Sequence, residues 1–414
     1  MSDAAGASID NRNCPETQPI CENCTARRLI CVYPMNQATY GNNAVNEAGH
    51  HIVSPSLPPA QPSPLTFSLQ DMRFFHHYLM VARPYLPFGS GQVWVAKIPQ
   101  IATQHGFIMH AILSLGATHL SMISPNLDES SYAKAVVHRG HAIKGFRELL
   151  DKQNPTSGDF DALLATAYCL ATQTAHMTDA LQDFLVFIRG CARLSILVAE
   201  TQLETVFPTP SESSTHLPSE METMTIDLPL MASGVDALQQ LSPILQGDVH
   251  FRFRDSMATV LQTMKTSCLQ AFKSHQSTYA AIYSINDFEF NQFIALENSA
   301  THVLFCYHFA VEAISMPMLL YLMPDHSKMP QAICTQLQWV DAILEQLPSG
   351  FEKYLLWPLE AICYAGMHYG VFNSARGEKL QKKFFDNVRK YKLEIELQTH
   401  SLTPSIYELC DETE

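Results

Sequence analysis

The chain has 414 residues, 47% apolar and 16% charged. That is enough apolar material for one large helical domain or two to three smaller ones, and the low charge excludes a chain disordered throughout. Lys and Arg number 26 against 40 Asp and Glu, a formal net charge of −14, so no overall field draws the chain to nucleic acid or anionic membrane. Any such contact has to be local.

The first ten residues, Met1–Asp10, have neither a basic end nor an apolar core and do not read as a secretion signal. Eleven cysteines in such a chain argue against a disulfide framework. Seven of them (Cys169, Cys191, Cys268, Cys306, Cys334, Cys363 and Cys410) stand singly and read as small apolar residues. The other four, Cys14, Cys21, Cys24 and Cys31, follow the spacing C-x6-C-x2-C-x6-C. A C-x2-C pair presents two thiolates to one metal from a tight turn, and two more cysteines can close a tetrahedron. Zinc is the expected metal in a reducing cell.

The stretch from Cys14 to Pro34, with PICENCTARRLICVYP at its centre, resembles the second part of the fungal binuclear zinc-cluster DNA-binding domain. That family places six cysteines around two zinc ions, and on this likeness Cys14 stands for the third and Cys21, Cys24 and Cys31 for the fourth to sixth. The resemblance implies zinc as cofactor, these four cysteines as ligands, promoter DNA as partner, and the nucleus as the place of action. Arg27 and Arg28 are the nearby phosphate contacts it implies. No cysteine precedes Cys14, so the first two family ligands are missing, as is the basic segment that faces DNA. A two-zinc cluster then cannot close in the usual way, whereas four thiolates suffice for one zinc, contributing on the order of 10 kcal/mol to local folding. Over residues 1–35, Arg12, Arg27 and Arg28 oppose Asp3, Asp10, Glu16 and Glu22, and net −1 does not supply the counterion release that dominates DNA affinity. Two readings follow. Either the missing half is encoded upstream of the given start, or the chain descends from a zinc-cluster regulator that lost direct DNA contact.

Residues 36–68 turn to Asn, Ala, Ser and Pro, with five prolines between Pro55 and Pro64, and read as a flexible linker without a coiled-coil heptad. From Leu69 the apolar spacing is helical: Phe74, Phe75, Tyr78 and Leu79, then Ile101, Ile108, Ile112, Leu115 and Leu120. Further helices are expected over Tyr132–Leu150, Phe160–Met177, Leu181–Leu197, Phe253–Tyr283, Phe288–Tyr321, Ala332–Leu347 and Tyr354–Tyr369. Thr205–Pro229, rich in Ser, Thr, Glu and Pro, reads as a mobile loop between two helical lobes. The expectation is an all-α body of about ten to twelve helices over residues 69–400, preceded by the partial zinc-cluster segment 1–35 and followed by a tail, 401–414. The segments Val93–Pro125, Phe184–Gly190 and Leu355–Gly366 resemble the helical regulatory domain of fungal zinc-cluster factors of the sterol-uptake control type. That resemblance implies a small apolar ligand held in the helical body and transcriptional coactivators as partners, without identifying pocket residues.

Other candidates carry less. His308 and Glu312 share one helix face at i, i+4, a spacing usable for metal or acid/base work, and read here as a buried histidine satisfied by a carboxylate one turn away. His76 and His77 are helical neighbours that point apart, and His50–His51 form a second pair. The apolar run Val303–Met323 contains His308, Glu312 and Pro317 and reads as a core helix, not a membrane span. Arg376–Lys392 forms an amphipathic helix with seven basic residues, a solvated face or a surface for an acidic partner. No H-E-x-x-H, G-x-S-x-G or phosphate-loop pattern occurs, so an enzyme has no residues to stand on. The leading reading is a fungal transcription regulator of the zinc-cluster type controlling metabolic genes, for sterol uptake or a secondary-metabolite cluster. The alternative is a helical scaffold that acts through protein partners.

Overall fold

The computed structural model describes residues 67–83, 86, 93–123, 129–201, 203–207, 218–322, 329–373 and 375–401. The expected zinc-cluster segment, nearly all of the linker and nearly all of the tail lie outside them. Among the described residues there are sixteen α-helical segments and no strand, so the body is all-α. The number exceeds ten to twelve because three segments, Ile98–Ile101, Glu220–Thr223 and Pro229–Gln239, are helical without having been expected, and because two expected helices are divided. The first breaks at Lys265–Ser267, where Ser267 caps the next helix through the N–H of Gln270. The second breaks twice, at Ile294–Asn298 and again at Ser315, just before Pro317, whose ring cannot continue a helix.

α1 (Leu69–His77) starts with a reciprocal cap: the Ser68 hydroxyl accepts from the Asp71 N–H at 3.2 Å, and the Asp71 carboxylate accepts from the Ser68 N–H at 2.7 Å. It runs on through a π-helical turn, Tyr78–Ala82, and a second such turn, Val93–Lys97, leads into α2 (Ile98–Ile101). α3 (Gly106–Ile123), α4 (Glu129–Leu150), α5 (Ser157–Thr174) and α6 (Leu181–Thr201) complete the first lobe. Its core gathers Tyr78, Trp94, Ile98, Ile112, Leu163 and Leu194. α3 is the one described helix long and apolar enough to cross a membrane, and its sides are buried inside the protein by α1 and α4. Gly116 is why α1 can lie so close: a Cβ there would stand 2.3 Å from the Phe74 carbonyl oxygen.

The second lobe holds α7 (Glu220–Thr223), α8 (Pro229–Gln239), α9 (Gly247–Met264), α10 (Cys268–Tyr283), α11 (Asp287–Phe293), α12 (Ser299–Ile314), α13 (Met316–Leu322), α14 (Met329–Gln346), α15 (Glu352–Tyr369) and α16 (Ala375–Ser401). α12 is its axis, buried continuously from Val303 to Ile314 and flanked by α9, α14 and α15. Such a helix is apolar all round, which is why it has no solvated face. The Ser/Thr/Glu/Pro stretch is structured at its end. Residues 218–228 cross the α9–α10 joint, where Met224 accepts from the Cys268 N–H and Ile226 donates to Met264, both at 2.8 Å. Met221 and Ile226 are buried there.

α6 belongs to both lobes. Phe184 and Leu185 enter the second core, while Cys191, Leu194 and Val198 enter the first. The Arg189 side chain, 8% exposed, reaches from its middle to α11, pairing with Asp287 at 2.7 Å, donating to the Ile285 carbonyl at 2.7 Å, and lying 4.3 Å over the Phe290 ring. Trp339 of α14 donates to the Met177 carbonyl at 2.8 Å and packs on Phe184.

Two outcomes test this packing. Gly116→Leu is expected to destabilise by about 2 kcal/mol or more, since α1 must move away from α3, although an unobstructed helix gains from that change; urea unfolding measures it. The second concerns Asp159, which caps α5 by accepting from the Thr156 N–H at 2.7 Å and from Lys152 at 2.6 Å. Burial opposes its ionisation, but the Lys152 ammonium and the Thr156 donors outweigh this and bring its pKa down to about 2. A depressed carboxylate stabilises above its unfolded pKa and loses that contribution as pH falls toward 2. Asp159→Asn is therefore expected to cost about 2 kcal/mol at pH 6 and about 1 kcal/mol less at pH 3.

Candidate functional site

The sequence-predicted zinc ligands Cys14, Cys21, Cys24 and Cys31, and the phosphate contacts Arg27 and Arg28, all lie outside the described residues. Among the described residues, no group of three or more His, Cys, Asp or Glu side chains is placed to hold a metal ion. The six described cysteines are buried. Burial pushes Cys191 and Cys363 up to about 12, and Cys169 and Cys306 well above the ordinary thiol value. Protonated thiols are poor zinc ligands. The thiols of the described residues therefore do not suit a four-thiolate zinc site.

His308 and Glu312 meet on α12 at 3.5 Å, as their spacing implies. Two residues the sequence reading missed join them from α10. His275 lies 3.5 Å from the same carboxylate oxygen, and the Tyr279 hydroxyl lies 3.2 Å from it and 2.9 Å from His308 Nε2. Their signal was present: His275 and Tyr279 are themselves i, i+4. Burial drives His308 down to about 4, so it stays neutral at pH 7. Burial also opposes charge on Glu312, but His308, His275 and Tyr279 together hold its pKa below the usual carboxylate range. The four side chains form a polar knot that ties α10 to α12 among Phe253, Phe305 and Phe309. Of the other pair, His77 is buried with its Nε2 2.9 Å from His119 Nδ1, while His76 is exposed.

The basic helix at the carboxyl end is real but largely self-neutralised. On α16, Lys383 binds Asp341 at 2.6 Å and Glu345 at 2.7 Å on α14, and Lys392 binds Glu360 of α15 at 2.7 Å. Lys390 and Arg389 face Glu394 and Asp386 within the helix. Leu380, Phe384 and Tyr391 form the buried face that the spacing foretells. Between α14 and α16 lies a groove of about 420 Å³ lined by Thr178, Gln338, Asp341, Glu345, Lys379 and Lys383 among others. Most of the residues that line it are charged or polar, unlike the apolar cavity that the family resemblance implies.

The joint between the lobes is held at its centre by Arg189. Arg189→Ala removes the guanidinium from Asp287, Ile285 and Phe290 together and leaves a buried carbonyl without its donor. We expect a loss of about 2–3 kcal/mol and earlier protease cleavage in native buffer. Chemical denaturation and timed proteolysis measure these.

Residues 73–224 match the family described as fungal specific transcription factor domain. These residues comprise most of the first lobe and the start of the segment that crosses the α9–α10 joint. The chain is 31% identical over 150 residues to sterol uptake control protein 2 of Candida albicans, covering 33% of this chain and 20% of that protein. It is 35% identical over 106 residues to the protein of that name from Saccharomyces cerevisiae, covering 25% of this chain and 11% of that protein. A third relative, the Zn(2)-C6 fungal-type transcription factor afumD of Aspergillus fumigatus, is 22% identical over 221 residues, covering 50% of this chain and 54% of that protein. The chain thus spans between a tenth and about half of these relatives. No solved structure matches it. The helical body described above is therefore similar, over residues 73–224, to the fungal specific transcription factor domain, and one of these relatives is named as a transcription factor of the Zn(2)-C6 type.

Proposed function

We propose that the chain is a fungal transcription regulator of the zinc-cluster type, whose helical body governs the expression of metabolic genes from the nucleus. The observation that carries this reading is the family match over residues 73–224, with the C-x6-C-x2-C-x6-C cysteines ahead of it in the same chain. Zinc would be held by Cys14, Cys21, Cys24 and Cys31, where it acts as a structural cross-link and takes no part in chemistry. Arg27 and Arg28 stand beside these ligands as phosphate contacts. The names of two relatives favour sterol uptake as the class of target genes, with a secondary-metabolite cluster as the other class a regulator of this kind serves. The two-lobed body supplies a joint on which a small ligand or a coactivator can act.

A second reading has its own support. The net charge of −1 over residues 1–35 favours a regulator that reaches promoters through a partner protein.

Full-length protein is to be assayed for zinc content, and its promoter occupancy mapped in cells alongside transcript levels after deletion of the gene. One zinc per chain, lost in a Cys21→Ser/Cys24→Ser variant together with promoter occupancy, is the expected result. Occupancy that survives this variant and depends on another protein supports the second reading. Unchanged transcripts after deletion would remove both.

A further inference from the structure

α4 is a helix that the first lobe covers on one side and leaves bare on the other. Ser131, Ala135, His138, Arg139 and Ala142 are buried, which turns Ala133, Val136, Val137 and Gly140 outward on the opposite face. These four follow the i, i+3, i+4, i+7 spacing of a single helix face over two turns. Val136 is 47% and Val137 59% exposed, and a Cβ at Gly140 would meet no atom within 4 Å. Single exposed apolar residues are ordinary, but this is a contiguous stripe, set opposite the one the core uses.

The same face turns basic toward its end. Lys144 and Arg147 follow Gly140 at i+4 and i+7 and are exposed, and Lys134 stands at the edge. Among the described residues, the only carboxylate that meets any of the three is Glu148, 3.9 Å from Lys144 with both side chains largely in water. Such a pair contributes little. On α16, by contrast, Lys383 and Lys392 are taken up by acids of α14 and α15. The acids on the flank of α4 lie toward Tyr132 at its other end: Asp179 is near that ring, and Asp183 is bound to Arg139 at 2.9 Å. An apolar stripe ending in cations is thus left unmatched by the fold, in a chain whose net charge is −14.

We propose that this face of α4 docks a short, acidic, amphipathic helix of another protein. The apolar side of that helix lies on Ala133, Val136, Val137 and Gly140, and its carboxylates lie over Lys144 and Arg147. Anchors at i, i+3, i+4 and i+7 are the pattern by which one helix reads another, and the missing Cβ at Gly140 lets the partner's backbone come close. Charge selects the class of partner. DNA or an anionic membrane is large enough to meet the field of the whole acidic chain, whereas a short peptide feels the charges within a Debye length of about 8 Å. The inference is independent of the zinc and promoter reading, since α4 contains none of the residues on which that reading places zinc or phosphate.

The test uses the full-length chain and a labelled synthetic helical peptide with Leu on one face and Glu on the others, read by fluorescence anisotropy. A matched peptide with Lys in place of Glu is the control. The Glu peptide is expected to bind with a Kd on the order of 10 µM, and the Lys peptide at least about tenfold more weakly. Lys144→Glu/Arg147→Glu should reverse that preference, and Val137→Asp should weaken the Glu peptide at least about tenfold, with melting temperatures unchanged because all three positions are exposed. If Val137→Asp melts early, the charge reversal decides alone. No binding, equal binding of the two peptides, or a preference that survives the charge reversal overturns the proposal. Three other occupants would overturn it as well. Tighter probe binding after neutralising Glu408, Asp411 and Glu412 would make the occupant the chain's own acidic end. A dimer in sedimentation that Val137→Asp abolishes would make it a second copy. Uptake on phosphatidylserine/phosphatidylcholine vesicles that the same variants abolish would make it a membrane.

Discussion

The architecture hangs on one long helix that is buried in two cores. α6 gives Phe184 and Leu185 to the second lobe and Cys191, Leu194 and Val198 to the first, so neither core closes without it. A helix in this position has to be apolar on two different faces at its two ends, and the turn between them has to be held by something other than packing. Arg189 supplies that hold. Its position within an apolar helix would be costly if left alone, and the Asp287 carboxylate, the Ile285 carbonyl and the Phe290 ring together meet its charge, a donor and its planar face. The lobes are thus joined by a directional contact as well as an oily one, and a directional joint can adopt discrete settings.

Much of the body was legible from spacing alone. α4, α6, α14 and α15 fall where the period of 3.6 puts them, because each presents a single stripe or a continuous core face. What spacing could not show were the breaks. Ser267 interrupts an apolar run whose period barely changes across the gap, and only its cap geometry marks it, whereas Pro317 gave the break at Ser315 a signal in the sequence. Residues 218–228 were illegible for the opposite reason. Met221, Met224 and Ile226 are scattered among polar residues without a period, and their burial depends on backbone bonds to α9 and α10. Arg189 gave no signal either, since its partners lie nearly a hundred positions further along the chain. For the candidate site, the cysteine pattern was readable as ligand chemistry, whereas the basic face of α16 looked more available than it is, because Asp341, Glu345 and Glu360 come to it from other helices.

Histidine has an unusual part in this interior. His77, His119, His176, His250 and His308 are all buried, several bonded to another side chain or to the backbone. Neutral imidazole offers one donor and one acceptor about 2 Å apart across a flat ring, a geometry that fits between helices where a hydroxyl is too short. Burial disfavours the charged form and lowers the pKa of His176, His250 and His308, so these three stay neutral at physiological pH.

The way the chain passes from the first lobe to the second has a consequence for its integrity. Phe207 is anchored against Trp94 and Tyr168, while Met221 and Ile226 are sewn into the second core. A single cut between residues 207 and 218 would sever the polypeptide yet leave both new ends tied down. The halves would stay together as one particle, sharing α6 and Arg189, and separate only when denatured. The contacts at either side of that point, and not the covalent link across it, would then hold the two halves together.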